Sequence, residues 1–165
     1  MKRMQWLFIF MMLIGSTALP ANNQLPRNSN GITYPDGWQR WQTIAVSHRH
    51  DNKTIRMILG NPIAVKAARS GHTNPWPDGA VIAKVVWKDK KLSHWPSAIG
   101  PDAFVHVEFM VKDTEKFADS YGWGWARWVG RDLVPFNQGQ KTCISCHTPV
   151  KARDWVFTEP TKFPE

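Results

Sequence analysis

The chain has 165 residues, 42% of them hydrophobic and 21% charged, with a formal net charge of +8. That is the size of one domain with its own core. The basic residues are scattered rather than blocked and no nucleic-acid motif accompanies them, which points away from nucleic acid; a solvated basic surface is the plain reading, and attraction to an acidic redox partner the other use of such charge.

Lys2 and Arg3 precede an uncharged run from Trp6 to Ile14, and the small residues Gly15, Ser16, Thr17 and Ala18 follow. Basic, then apolar, then small is the order of a secretory signal peptide over 1–21, cleaved after Ala18 or Ala21. The apolar run is too short for a bilayer, which takes about 20 residues, and no later segment is apolar enough to cross one. The mature chain is therefore expected in the periplasm. Residues 22–33 are polar with a proline, a loose segment or a strap, and 34–165 read as a single domain.

From Tyr34 the text becomes globular. Ile44–Val46 and Ile55–Leu59 are short β-rich runs around the polar turn His50-Asp51-Asn52-Lys53, a hairpin spacing. Asn61 as N-cap with Pro62 at the first helical position opens a helix, and Gly71 closes it; Ile63, Ala64, Ala67 and Ala68 form its apolar stripe. A breaker-rich turn spans Asn74 to Gly79. Ala80–Trp87 is apolar on both faces, which predicts a central strand. In Ala103–Val111 the residues Ala103, Val105, Val107, Phe109 and Val111 face one way, with His106, Glu108 and Lys112 opposite. Asp113 is placed to cap a short helix through Ala118. Gly122–Val129 reads as a strand whose glycines let something bulky approach. A loop from Arg131 leads to the cysteines, and Asp154–Phe157 ends the fold as a short apolar segment. The expected class is α+β and β-rich, an antiparallel sheet with one or two short helices and a C-terminal attachment motif.

That motif is Cys143-Ile144-Ser145-Cys146-His147. Two thiols on one short turn match the two vinyl groups of haem, and the adjoining imidazole reaches the iron, so the spacing reads as c-type haem attachment. Structural zinc needs four ligands and there is no second cysteine pair. A thioredoxin-like pair belongs near a βαβ pattern, and a plain disulfide gives His147 no role. Cys143 and Cys146 are thus read as the attachment residues and His147 as the axial ligand of one haem c, a plain disulfide being the alternative left open. For the second axial position His48, His50, His72, His94, His106, Met57 and Met110 are all eligible by element, and no spacing nominates one. Of ten tryptophans, Trp123, Trp125 and Trp128 on one strand are placed either to wall a flat ring or simply to pack the core.

The stretches His48–Asn52, Ile55–Asn61, Trp76–Lys84, Cys143–Val150 and Asp154–Phe157 resemble the cytochrome P460 family, which includes the cytochromes c′-beta. The resemblance covers most of the mature chain in order. It implies a β-rich, often dimeric periplasmic haem protein with five-coordinate iron that oxidises hydroxylamine or binds nitric oxide or carbon monoxide, with a redox partner where it turns over. The enzyme branch also bonds a lysine to the porphyrin edge. Lys84 is the candidate, because it interrupts an otherwise apolar strand; the alternative is an edge position with the ammonium snorkelling to water. Lys66 is weaker, since a helix surface explains it. The resemblance also implies a proton-accepting carboxylate just before the cysteines, yet residues 136–142 contain none. Gln138 is the candidate polar residue there, with Gln140 beside it, although neither amide takes up a proton at neutral pH. Glu108 or another carboxylate folding into the pocket is the expected substitute.

Overall fold

The computed structural model describes residues 25–162 and residue 164; the expected signal peptide lies outside them. Six strands form one antiparallel sheet in chain order, each paired with the next. Strands β1 (Gln42–Arg49) and β2 (Thr54–Gly60) make the expected hairpin. Helix α1 (Pro62–Ser70) opens with Asn61 Oδ1 accepting the Ala64 N–H at 2.9 Å and closes at Gly71 with φ 76°; such a cap contributes about 1 kcal/mol. Its buried stripe is Ala64, Val65 and Ala67, while Ile63 is exposed. This corrects the expected stripe: Ala64 seats against Ile44 beside Gly60, where a Cβ would have no room, and that contact rolls Ile63 outward toward the Gly79 turn.

Strands β3 (Val81–Leu92) and β4 (Trp95–Lys112) extend well beyond the expected Ala80–Trp87 and Ala103–Val111. Their ends form an arm that turns at Ser93 and His94, and its Lys88, Lys90 and Lys91 face solvent, so no apolar alternation announces it. Asp113 Oδ1 accepts the Lys116 N–H at 2.9 Å, but the expected helix does not propagate; only the 3-10 turn Ala118–Ser120 follows, closed by left-handed Tyr121. Then come β5 (Trp123–Val129), the two-residue β6 (Val134–Pro135) and α2 (Gln140–His147). No helix among the described residues is long and apolar enough to cross a membrane.

Strand alternation divides the core into two layers, one on each face of the sheet. One face holds Leu59, Ala83, Val85, Val107, Phe109 and Trp128. On it Tyr34, Trp38, Phe109 and Trp128 meet edge to face, with centroids 5.2–6.3 Å apart. The N-terminal stretch is a strap across this side rather than loose: Asn30 Nδ2 donates to the Trp125 carbonyl at 2.7 Å, Asn28 Nδ2 to that of Arg127 at 3.1 Å, and Ile32 is buried. The bulky neighbour that Gly124 admits is the Phe117 ring, with Ile32 beside it. The other face holds Ile58, Ile82, Met110, Trp123 and Trp125, and it is covered by α1, by Trp76, and by Cys143 and Ile144 of α2.

Candidate functional site

The second face carries the chemistry. Helix α2 ends on His147, with Cys143 partly buried and Cys146 exposed, both thiols free. Burial pushes the Cys143 thiol up from its ordinary value. His147 Nδ1 lies 2.6 Å from the Trp155 carbonyl oxygen. A carbonyl only accepts, so Nδ1 carries the proton and Nε2 keeps its lone pair. Burial lowers the His147 pKa, the Trp155 bond partly opposing it, so the ring is neutral, the form that binds metal. The Trp125 and Phe157 rings flank it at 6.2 and 5.0 Å.

The segment beneath is unusual. Asp154 and Trp155 have φ 49° and 65°, two successive left-handed residues; aspartate tolerates that region, whereas tryptophan pays of order 1–3 kcal/mol for it. Lys112, only 4% exposed, donates to Asp154 Oδ1 and Oδ2 at 2.8 and 2.9 Å, and the Trp76 N–H donates to Oδ2 at 2.8 Å.

A second group of charges crosses the same face. Lys84 of β3, Glu108 of β4 and Arg127 of β5 are register partners. Lys84 Nζ pairs with Glu108 Oε2, Arg127 Nε donates to Oε1 at 2.5 Å, and His106 Nε2 stands 3.4 Å from Oε1. Arg127 also lies over the Phe136 ring, 4.6 Å from its centroid. Burial alone would raise the Glu108 pKa, but Lys84, Arg127 and His106 outweigh it and hold the carboxyl at about 2. His106 is driven down to about 4 by burial, with Glu108 partly opposing. The fields of Lys84, Glu108 and Arg127 reach both Cys143 and His147. Two buried donors here, Arg56 Nε and Trp125 Nε1, have no partner among the described residues.

Both shifted groups bind protons more readily in the unfolded chain. Stability is therefore complete above pH 6.5, falls first as His106 is forced to protonate on the way to pH 4, and falls again between pH 4.5 and 2 as Glu108 does. Each group contributes a slope of at most about 1.4 kcal/mol per pH unit. In Glu108→Gln the fall between pH 4.5 and 2 is expected to shrink in an acid titration of the urea midpoint, the remainder belonging to other carboxyls held low, Asp51 among them.

The structure thus brings Cys143, His147, Lys84 and Glu108 to one side of the sheet. Lys84 is on a central strand, so the edge explanation for it fails. Gln138 is exposed in the loop before α2, and Gln140 is occupied in accepting the Trp125 N–H at 3.1 Å. Lys66 is exposed on α1. Of the eligible second axial residues only His106 and Met110 share this face; His48 is paired with Asp89 at 2.6 Å, and Met57 packs on the other layer. Trp128 also faces away, so Trp123 and Trp125 alone remain beside the motif. Sequence reasoning missed Arg127, Arg56 and the Lys112–Asp154 pair; for Arg127 the signal was available, since it shares the parity of Trp123 and Trp125. A cleft of about 630 Å³ between β1 and α1, lined by Trp41, Val65, Lys66 and Arg69 among others, shares no residue with this group.

No curated protein sequence matches the chain. The sequence profile of the cytochrome P460 family matches residues 35–158. That span is most of the chain and contains the strands, the charged row and the cysteine motif, so the chain belongs to the cytochrome P460 family and with it to the c-type haem proteins.

Proposed function

We propose that this is an exported haem protein in which Cys143 and Cys146 carry one haem c through thioether bonds, His147 binds its iron, and small nitrogen compounds are the ligands. The residues fit the group: two free thiols one turn apart, a neutral imidazole with Nδ1 occupied and Nε2 available, and two unpartnered donors on the adjoining sheet face. When bound, the haem supplies an iron with an open position for a small ligand and a path for electrons.

The observation that carries the reading furthest is the Lys84–Glu108 pair on the motif side of a central strand. Lys84 is the candidate for a third bond to the porphyrin edge: its Nζ–carbon bond would replace one N–H and one ring C–H, and the two electrons and two protons released would pass to an external peroxide, reduced to water. An amine taken into that bond no longer balances Glu108, which keeps only Arg127 as a close cation and becomes the stronger base. Glu108 then serves as the proton acceptor that residues 136–142 lack, and the activity is oxidation of hydroxylamine, with electrons passing to an acidic redox partner. A homodimer accompanies this reading.

The second reading is a protein that holds nitric oxide or carbon monoxide without turnover. It is favoured by the commitment of Glu108 to Lys84 and Arg127 and by its pKa near 2. The reduced protein separates the two. A strongly red-shifted Soret band with an intact mass two hydrogens below chain plus haem supports the lysine bond, and Lys84→Arg is expected to abolish both. A normal high-spin c-type spectrum supports the binding protein. A low-spin spectrum makes the chain an electron carrier, with His106 or Met110 as sixth ligand.

A further inference from the structure

The buried ion pair between Lys112 and Asp154 is spent on neither layer of the core nor on the charged row. It sits under the one carbonyl that His147 uses. The Asp154 carboxylate takes three donors, two contacts from Lys112 Nζ and one from the Trp76 N–H. The Asp154 carbonyl accepts from Trp123 Nε1 at 2.9 Å, and Asn74 Nδ2 donates to the Ala152 carbonyl at 3.0 Å. Lys112 also stands over the Trp123 ring, 4.9 Å from its centroid. These contacts tie the segment to β4, to β5 and to the turn before β3. They hold Asp154 and Trp155 in two successive left-handed conformations, which a tryptophan does not keep without outside support. Trp155 is fixed further by stacking on Tyr121, centroids 4.2 Å apart and planes 20° apart. The product of this clamp is the direction of the Trp155 carbonyl, which meets His147 Nδ1 at 2.6 Å.

We infer that Lys112 and Asp154 are positioning residues for the proximal side of the site: their ion pair sets the Trp155 carbonyl, which fixes the tautomer and orientation of His147 and raises its strength as an iron ligand. A hydrogen bond from the non-ligating ring nitrogen to a carbonyl does both. The inference rests on His147 being the axial ligand. A pair that served packing alone would have no reason to converge on the residue adjacent to the acceptor of that ring.

The test uses the haem-loaded protein, reduced and without added ligand, and reads the iron–histidine stretching band by resonance Raman. Lys112→Met leaves Asp154 unbalanced, so the doubly neutral Lys112→Met with Asp154→Asn is made beside it, and Asp154→Asn alone keeps an acceptor for the Trp76 N–H. The band is expected to move to lower frequency and broaden in both Lys112 variants, and to move less in Asp154→Asn. Thermal melting runs in parallel. A band at the parent frequency and width in the double variant, whatever its melting temperature, overturns the positioning role. Absence of an iron–histidine band from a parent protein whose reduced spectrum is five-coordinate and high-spin overturns the assignment of His147 and this inference with it.

Discussion

Replacing Cys143 and Cys146 together with alanine, in a Lys84→Arg background that removes the third candidate attachment, is expected to abolish covalent haem altogether: acid acetone should then strip all pigment from the purified protein, where it strips none from the parent. The expectation is absolute because the chain has only two cysteines, so no other thiol can take over. Each single variant is expected to retain one thioether and hence to stay coloured after extraction. The two positions should differ in their tolerance, because Cys143 is packed against the apolar layer and Cys146 is exposed. Colourless parent protein from a host competent in cytochrome maturation, with both thiols open to alkylation, would sink the attachment and every reading that depends on it.

The second large effect concerns Glu108. If it accepts the proton in hydroxylamine oxidation, Glu108→Gln should lower turnover by about 10²–10⁴-fold, the usual contribution of a general base. Nitric oxide affinity should hardly change, since binding moves no proton. The glutamine keeps the volume and still accepts from Arg127, but it leaves Lys84 and Arg127 less balanced. Breaking a buried pair costs about 3–5 kcal/mol, and the partial exposure of both cations brings the figure to the low end or below it. Glu108→Asp is the control, retaining charge at a shorter reach. Full turnover in Glu108→Gln leaves the carboxylate as a structural counterion and puts the proton acceptor elsewhere, whereas no turnover in the parent protein favours the ligand-binding reading.

What could be read from the residues in advance was what is local. Cys143 to His147 lie within five positions, and the Asn61-Pro62 start and Gly71 stop of α1 are written in adjacent letters. The alternation along β4 correctly put Glu108 and His106 opposite Val107 and Phe109, because a half-buried strand must separate them. What escaped depends on partners far along the chain. Lys112 and Asp154 are 42 positions apart, and each alone looks like a surface charge. Trp128 stands near Trp123 and Trp125 in the sequence, but odd spacing along the strand sends it to the other face of the sheet. Gln138 lies near the cysteines along the chain yet is exposed in the loop before α2, whereas Glu108 comes to the motif side of the sheet from another strand.

The division of the sheet into two layers has a consequence for the chain without its pigment. The aromatic side, from Tyr34 and Trp38 to Trp128 under its strap, includes no atom of the attachment motif. Packing of this layer therefore involves none of the residues proposed to hold the haem, and the chain with both cysteines replaced by alanine is expected to keep it in the absence of pigment.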